Sequence, residues 1–132
     1  MNDLELVIDL LRAPGESMPG SSLSPNDAKT YVREQFPGQA YCLVRDWIWL
    51  DLICEEKHRL VLRTTHRLPV MLYAHTVVYD SAGRWGPGDF VRTSLLCLFD
   101  QNFLFRTHNT IYVLLGLGSR KSVLPETVMR IV

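Results

Sequence analysis

Net charge is the first thing this 132-residue sequence lacks, since fourteen lysines and arginines balance fourteen aspartates and glutamates. Without an overall field to steer a polyanion, neither bulk nucleic-acid binding nor acidic mimicry of DNA is expected. Cysteine is scarce: Cys42, Cys54 and Cys97 are odd in number, widely spaced and free of any C-x-x-C pair. They read as small buried hydrophobes, not as a disulfide framework. No apolar run approaches the roughly 20 residues that a membrane helix needs, and no basic segment followed by an apolar block stands at the start. A cytosolic (cytoplasmic) location is the resulting expectation. Repeats and low-complexity blocks are also missing, so residues 1–132 are expected to form a single domain.

Catalytic signatures are missing too. There is no G-x-S-x-G elbow, and the glycine-rich runs Gly83–Gly88 and Gly116–Lys121 lack the lysine–hydroxyl pair and strand-to-helix setting of a phosphate loop. Tight turns account for those glycines. A zinc site would have to draw on Cys54, His58, His66 and Cys97, whose C-x3-H-x7-H spacing matches no common finger. No metal and no cofactor are therefore expected. The best enzyme alternative is a site assembled from His75, Asp80 and His108 with neighbouring hydroxyls such as Ser81 or Ser94. Those groups would have to meet within hydrogen-bond reach. The simpler reading gives Asp80 and Ser81 a turn to cap and His75 a strand face to pack.

What is present is core-forming material. An apolar fraction of 47% against 21% charged is that of a soluble globule, and a chain of this length can bury roughly two-thirds of its unfolded surface. Extended runs dominate residues 70–118: Val70–Asp80, Asp89–Phe99 and Thr110–Leu117, with Phe103–Thr107 as a further short strand. In the first, residues alternate with a period of two and both faces are largely apolar, so both are expected to be covered. Tyr41–Ile53 is another long strand. Strict alternation puts Cys42, Val44, Asp46, Ile48, Leu50 and Leu52 on one face and Tyr41, Leu43, Arg45, Trp47, Trp49 and Asp51 on the other. The aliphatic face is the better core candidate, leaving Trp47 and Trp49 either under a helix or on a contact surface.

The first forty residues read as helical. Leu4, Val7, Ile8 and Leu11 share one face of an amphipathic segment, Asp3–Arg12. Pro14–Ser22 is a turn-rich link. Ser24 then caps a second helix with Pro25 at its first position and Asp27 three residues on, and Pro37–Gly38 ends it. Residues 55–68 are ambiguous, a short helix or an irregular excursion. Ser119–Ser122 reads as a basic exposed turn and Glu126–Val132 as helical or an edge strand. The fold class is α+β: two N-terminal helices (1–40) packed on a strongly bent antiparallel sheet or small barrel of about five strands (41–132).

For binding, residues 1–40 hold three basic and six acidic side chains, whereas residues from Pro69 onward hold six and four. Arg84, Trp85, Arg92, Arg106, Arg120 and Lys121 form a candidate docking surface, with Trp85 in its glycine-rich loop as the anchor. A solvated rim with local salt bridges is the plain alternative. Leu95, Leu96 and Leu98 leave apolar side chains on both faces of one strand, which would suit self-association.

The runs PGESMPGSSLS, YCLVRDWIWLDL, VVYDSAGRW, GDFVRTS and NTIYVLLGLGSRK resemble those of a small uncharacterised family of pseudomonad proteins, some carried on phages and prophages, classed as a domain of unknown function. The resemblance covers most of the chain. It implies a bacterial or phage-delivered cytosolic protein and brings no activity, cofactor or catalytic residue. The leading expectation is a non-catalytic protein-interaction module that modulates a host defence or replication factor. The alternatives are the small enzyme above and a nucleic-acid-binding barrel that uses Trp47, Trp49 or Trp85 with arginines.

Overall fold

The computed structural model describes residues 2–131. Its elements follow in the order α1 (Asp3–Arg12), β1 (Glu16–Pro19), α2 (Pro25–Gln35), β2 (Tyr41–Leu52), α3 (Glu56–Thr64), β3 (Val70–Asp80), β4 (Val91–Arg92), β5 (Leu98–Asp100), β6 (Leu104–Arg106), β7 (Ile111–Leu114), β8 (Leu117–Val123) and α4 (Pro125–Val128). The α+β class stands, with α1 and α2 on a strongly curled sheet. None of these helices is long and apolar enough to cross a membrane.

The sheet is built on β2. One edge of β2 pairs antiparallel with β3 along its length. Its other edge is shared: Tyr41–Val44 run parallel to β7, and Ile48–Leu52 run parallel to β8. The sheet is therefore mixed, which corrects the expectation of an antiparallel one. The curl carries the hydrogen bonding onward from β3. Thr93 N–H donates to the Leu72 carbonyl and Leu96 N–H to that of Val70, both at 2.9 Å, and Cys97 N–H donates to the Arg106 carbonyl at 2.8 Å. The segment from β4 to β5 thus leaves β3 and joins β6, which pairs with β7. This protects the short strands' backbone groups as barrel closure does.

Strict alternation along β2 fails at one residue. Asp46 adopts φ 52 in mid-strand, a left-handed conformation that Asp tolerates better than most residues. That rotation inverts the facing of everything after it, as a bulge does. Cys42 and Val44 consequently share the inner core with Trp47 and Trp49, alongside Leu72, Val77, Leu96, Phe105 and Leu114. On the outside, Tyr41 and Leu43 meet Ala28 and Val32 of α2, while Ile48 and Leu50 meet Leu10 of α1 and Val128 of α4. Each fully buried aliphatic side chain contributes about 1.5–3 kcal/mol, so both faces of β2 stabilise the fold.

Helix α2 starts as its sequence dictates. The Ser24 hydroxyl accepts from Asp27 N–H at 3.2 Å, and Pro25 occupies the first turn. Other segments differ from expectation. The link after α1 contains β1, an edge strand on β8 whose terminal Pro19 an edge can accommodate. Residues 119–122 are not a turn but the middle of β8, held between β1 and β2. The turn lies earlier, at Gly116, whose φ of 70 suits glycine. Gly118 sits inside β8 because a Cβ there would lie 2.3 Å from the Trp47 ring. The expected strand at 89–99 is split into β4 and β5, α3 occupies the ambiguous stretch, and α4 is a short helix. The last residue of the expected terminal segment, Val132, lies outside the described residues.

Candidate interaction surface

The basic residues singled out in the sequence are each engaged within the fold. Arg84 grips Asp80 through Nε (3.1 Å) and Nη2 (2.8 Å), adds its backbone N–H at 2.6 Å, and donates from Nη1 to the Thr110 hydroxyl at 2.6 Å. Burial alone would push the Asp80 carboxyl up. The bonds from Arg84 outweigh it and hold that carboxyl below the usual range. Beside this pair, burial pushes the Cys42 thiol and the Tyr112 hydroxyl up to about 12, so both stay neutral.

Arg92 donates from Nη1 to the carbonyls of Val128 (3.1 Å) and Ile131 (3.3 Å), fixing the end of α4. Arg106 lies over the Phe36 ring and 3.8 Å from Asp100. Arg120 forms two bonds to Asp51, at 2.6 and 3.1 Å. Lys121 donates to the carbonyls of Leu10 and Ala13, capping α1, and burial lowers its pKa.

These residues do not make one patch. Asp80, the partner of Arg84, lies opposite Cys42, and Arg120 lies opposite Trp49. Seven residues of β2 separate the two positions, about 23 Å at ~3.3 Å per residue. Trp47 and Trp49 are corrected outright as contact-surface candidates, being only 1% and 6% exposed. The Trp47 indole N–H donates to the Leu115 carbonyl at 3.2 Å, and Trp49 packs edge-on against Phe99 and Phe105. The inversion at Asp46 turns both rings inward, which strict alternation could not show.

The proposed enzyme trio is likewise dispersed. His75 is half-buried, edge-on to Tyr73, and borders a cleft of about 380 Å³ with Asp46, Arg12 and Lys121. Asp80 lies five residues farther along the same extended strand, roughly 17 Å away, and is occupied by Arg84. His108 is exposed in the turn between β6 and β7, where its Nδ1 lies 3.3 Å from the Arg67 guanidinium. Cys54 and His58 border one groove. Among the described residues, no group of three or more His, Cys, Asp or Glu side chains is placed to hold a metal ion.

Trp85 does stand at a cavity. The Arg84 guanidinium stacks over its ring, whose inner edge reaches Tyr112. Trp85 also borders a groove of about 780 Å³ shared with Phe90, Val91, Arg92, Met129 and Ile131. Phe90 and Met129 are 43% and 62% exposed. Neither drew attention in the sequence: Phe90 read as one residue of a strand, and Met129 as part of an undecided terminal segment. The Arg92 bonds to the end of α4, together with the packing of Val128 and Ile131 in the core, bring them together.

Searches of curated proteins and of solved structures find no match. The family described as Domain of unknown function (DUF6957) matches residues 19–130, from the end of β1 through α4, and the chain belongs to that family.

Proposed function

We propose that this protein is a non-catalytic protein-interaction module that binds its partner in the groove between the Trp85 loop and α4. The observation that carries the reading is the lining of that groove: Trp85, Phe90 and Met129 present apolar surface beside Arg92, the residue types enriched at interface centres. Arg92 is already fixed by two carbonyls and Trp85 by Arg84 and Tyr112, so little side-chain freedom is lost on binding. The groove carries one acid, Asp89, and one base, Arg92. It suits a partner segment that inserts an apolar side chain and brings little net charge.

A bacterial or phage origin, a cytoplasmic setting, and a host defence or replication factor as partner complete the proposal. They are supported by the sequence resemblance and by the absence of an assembled acid–base–nucleophile constellation among the expected residues.

The test is capture from a bacterial host lysate with the wild type, Met129→Asp and Trp85→Ala. A single stoichiometric partner is expected to bind the wild type and to lose roughly thirtyfold in affinity, about 2 kcal/mol, with either variant. Met129 is the cleaner probe because it is exposed and its replacement leaves the core intact. A partner that binds Met129→Asp as tightly as the wild type would refute this location.

A further inference from the structure

Helix α3 is the least covered element of the fold. None of its residues is buried, its start lacks a side-chain cap, and Leu60 and Val61 are 51% and 65% exposed. An apolar groove of about 300 Å³ runs beside it, bordered by Val61, Leu62, Leu95 and Pro125. A second groove of similar volume is bordered by Leu6 and Asp9 of α1 together with Ile53 and Leu124. The two grooves meet along the chain as a ridge: Ile53 and Leu124 border the second, and their neighbours Leu52, Cys54 and Pro125 border the first. Ile53 and Leu124 are 54% and 49% exposed, and Ile53 N–H donates to the Val123 carbonyl at 2.9 Å. One exposed apolar band therefore runs from α1 over this ridge to α3.

The ends of the band carry opposite charge. At the α1 end, Glu5 and Asp9 are exposed and take part in no salt bridge among the described residues. The same holds for Arg59 and Arg63 on α3. We propose that the band is a self-association face, on which two copies of this chain dock about a two-fold axis with α1 of each copy against α3 of the other.

A two-fold contact must be complementary to itself, and an apolar strip with acid at one end and base at the other meets that condition. A membrane or nucleic-acid surface does not fit as well, because its negative charge would repel the Glu5–Asp9 end as it attracted the Arg59–Arg63 end. This inference is independent of the Trp85 groove. It goes beyond the leucines of residues 95–98, of which Leu96 is buried in the inner core.

Sedimentation across a concentration series provides the test. The wild type is expected to dimerise, Ile53→Asp to remain monomeric, and Trp85→Ala to dimerise like the wild type. Glu5→Lys and Arg63→Glu, each alone, set like charges against one another at both ends of the contact and are expected to weaken the dimer at least about tenfold. Mixed in equal amounts, they are expected to form a heterodimer of near wild-type affinity, because both ends then bring opposite charges together. Glu5, Ile53 and Arg63 are exposed and Trp85 is half-buried in a surface loop, so a folded circular dichroism spectrum is expected throughout. A wild type that stays monomeric at millimolar concentration overturns the proposal, and so does a dimer unaffected by Ile53→Asp. Failure of the two charge variants to complement each other overturns the two-fold arrangement.

Discussion

The two halves of β2 place the same chemistry in opposite surroundings. Near its start, the Asp80 carboxylate receives two guanidinium nitrogens of Arg84 with its own side chain wholly out of water. Near its end, Asp51 receives two from Arg120, at comparable distances, with the side chains 30% and 46% exposed. Geometry does not separate these pairs, but solvent does. Water can replace most of what Arg120 gives Asp51. No water stands ready to replace Arg84 at Asp80, so loss of that partner would leave a desolvated charge. The first pair locks the ends of β2 and β3 to the turn before β7. The second ties β2 to its parallel neighbour β8 at the surface. A surface arginine is thus a poor guide to a binding site until its intramolecular partner is known.

The largest effect is expected where the halves join. Gly118→Ala puts a methyl 2.3 Å from the Trp47 ring, which the hydrogen bond to Leu115 and the surrounding core keep from retreating. Destabilisation of about 3 kcal/mol is expected, read as a drop of roughly 10 °C in Tm. A change below about 1 kcal/mol would mean that the junction is looser than either half. Next comes the buried pair. Asp80→Asn is expected to cost about 2 kcal/mol at neutral pH, discounted from the cost of breaking a fully buried pair because the Arg84 side chain is 32% exposed. Its pH dependence has a definite sign. Asp80 has a lower pKa folded than unfolded, so its contribution is complete above the unfolded value of about 3.9 and disappears as pH falls through the folded value beneath it. Denaturant titrations of wild type and variant should therefore converge in acid. A gap that persists unchanged to pH 2 would assign the loss to packing instead of charge.

The same contrast explains what could be read from the sequence. Helix α2 was legible because Ser24, Pro25 and Asp27 act within one turn, and Ala28 and Val32 follow at the spacing that buries them. The length and strand character of β2 were legible too. Its facing was not, because an aspartate between apolar residues reads as one more polar member of an alternating face, and nothing local announces that Asp46 takes a positive φ. Strand β8 was missed for a related reason. Its glycine, serines and charges resemble a turn, and only pairing on both sides with β1 and β2 makes it a strand. The candidate site failed on distance along the chain. Arg120 finds Asp51 across 69 residues and Lys121 finds Leu10 across 111, and Phe90 meets Met129 because Arg92 and the buried Val128 hold α4 in place. Residue types could be picked out by eye, but their partners could not.

The smallest effect is expected at the exposed pair. Arg120→Ala removes both bonds to Asp51 and the stacking of the guanidinium over Trp49, whose centroid lies 5.5 Å away. Asp51 keeps the indole N–H of Trp49, which donates to it at 3.1 Å, so no buried donor is orphaned. A cost of about 0.5–1 kcal/mol is expected at low salt. It should shrink as salt rises, because the Debye length falls from about 10 Å at 0.1 M to about 3 Å at 1 M. The Asp80→Asn cost should change little over the same range, since Asp80 has no contact with the ions. If Arg120→Ala cost as much as Asp80→Asn and ignored salt, solvent would not be what distinguishes the two ends of β2.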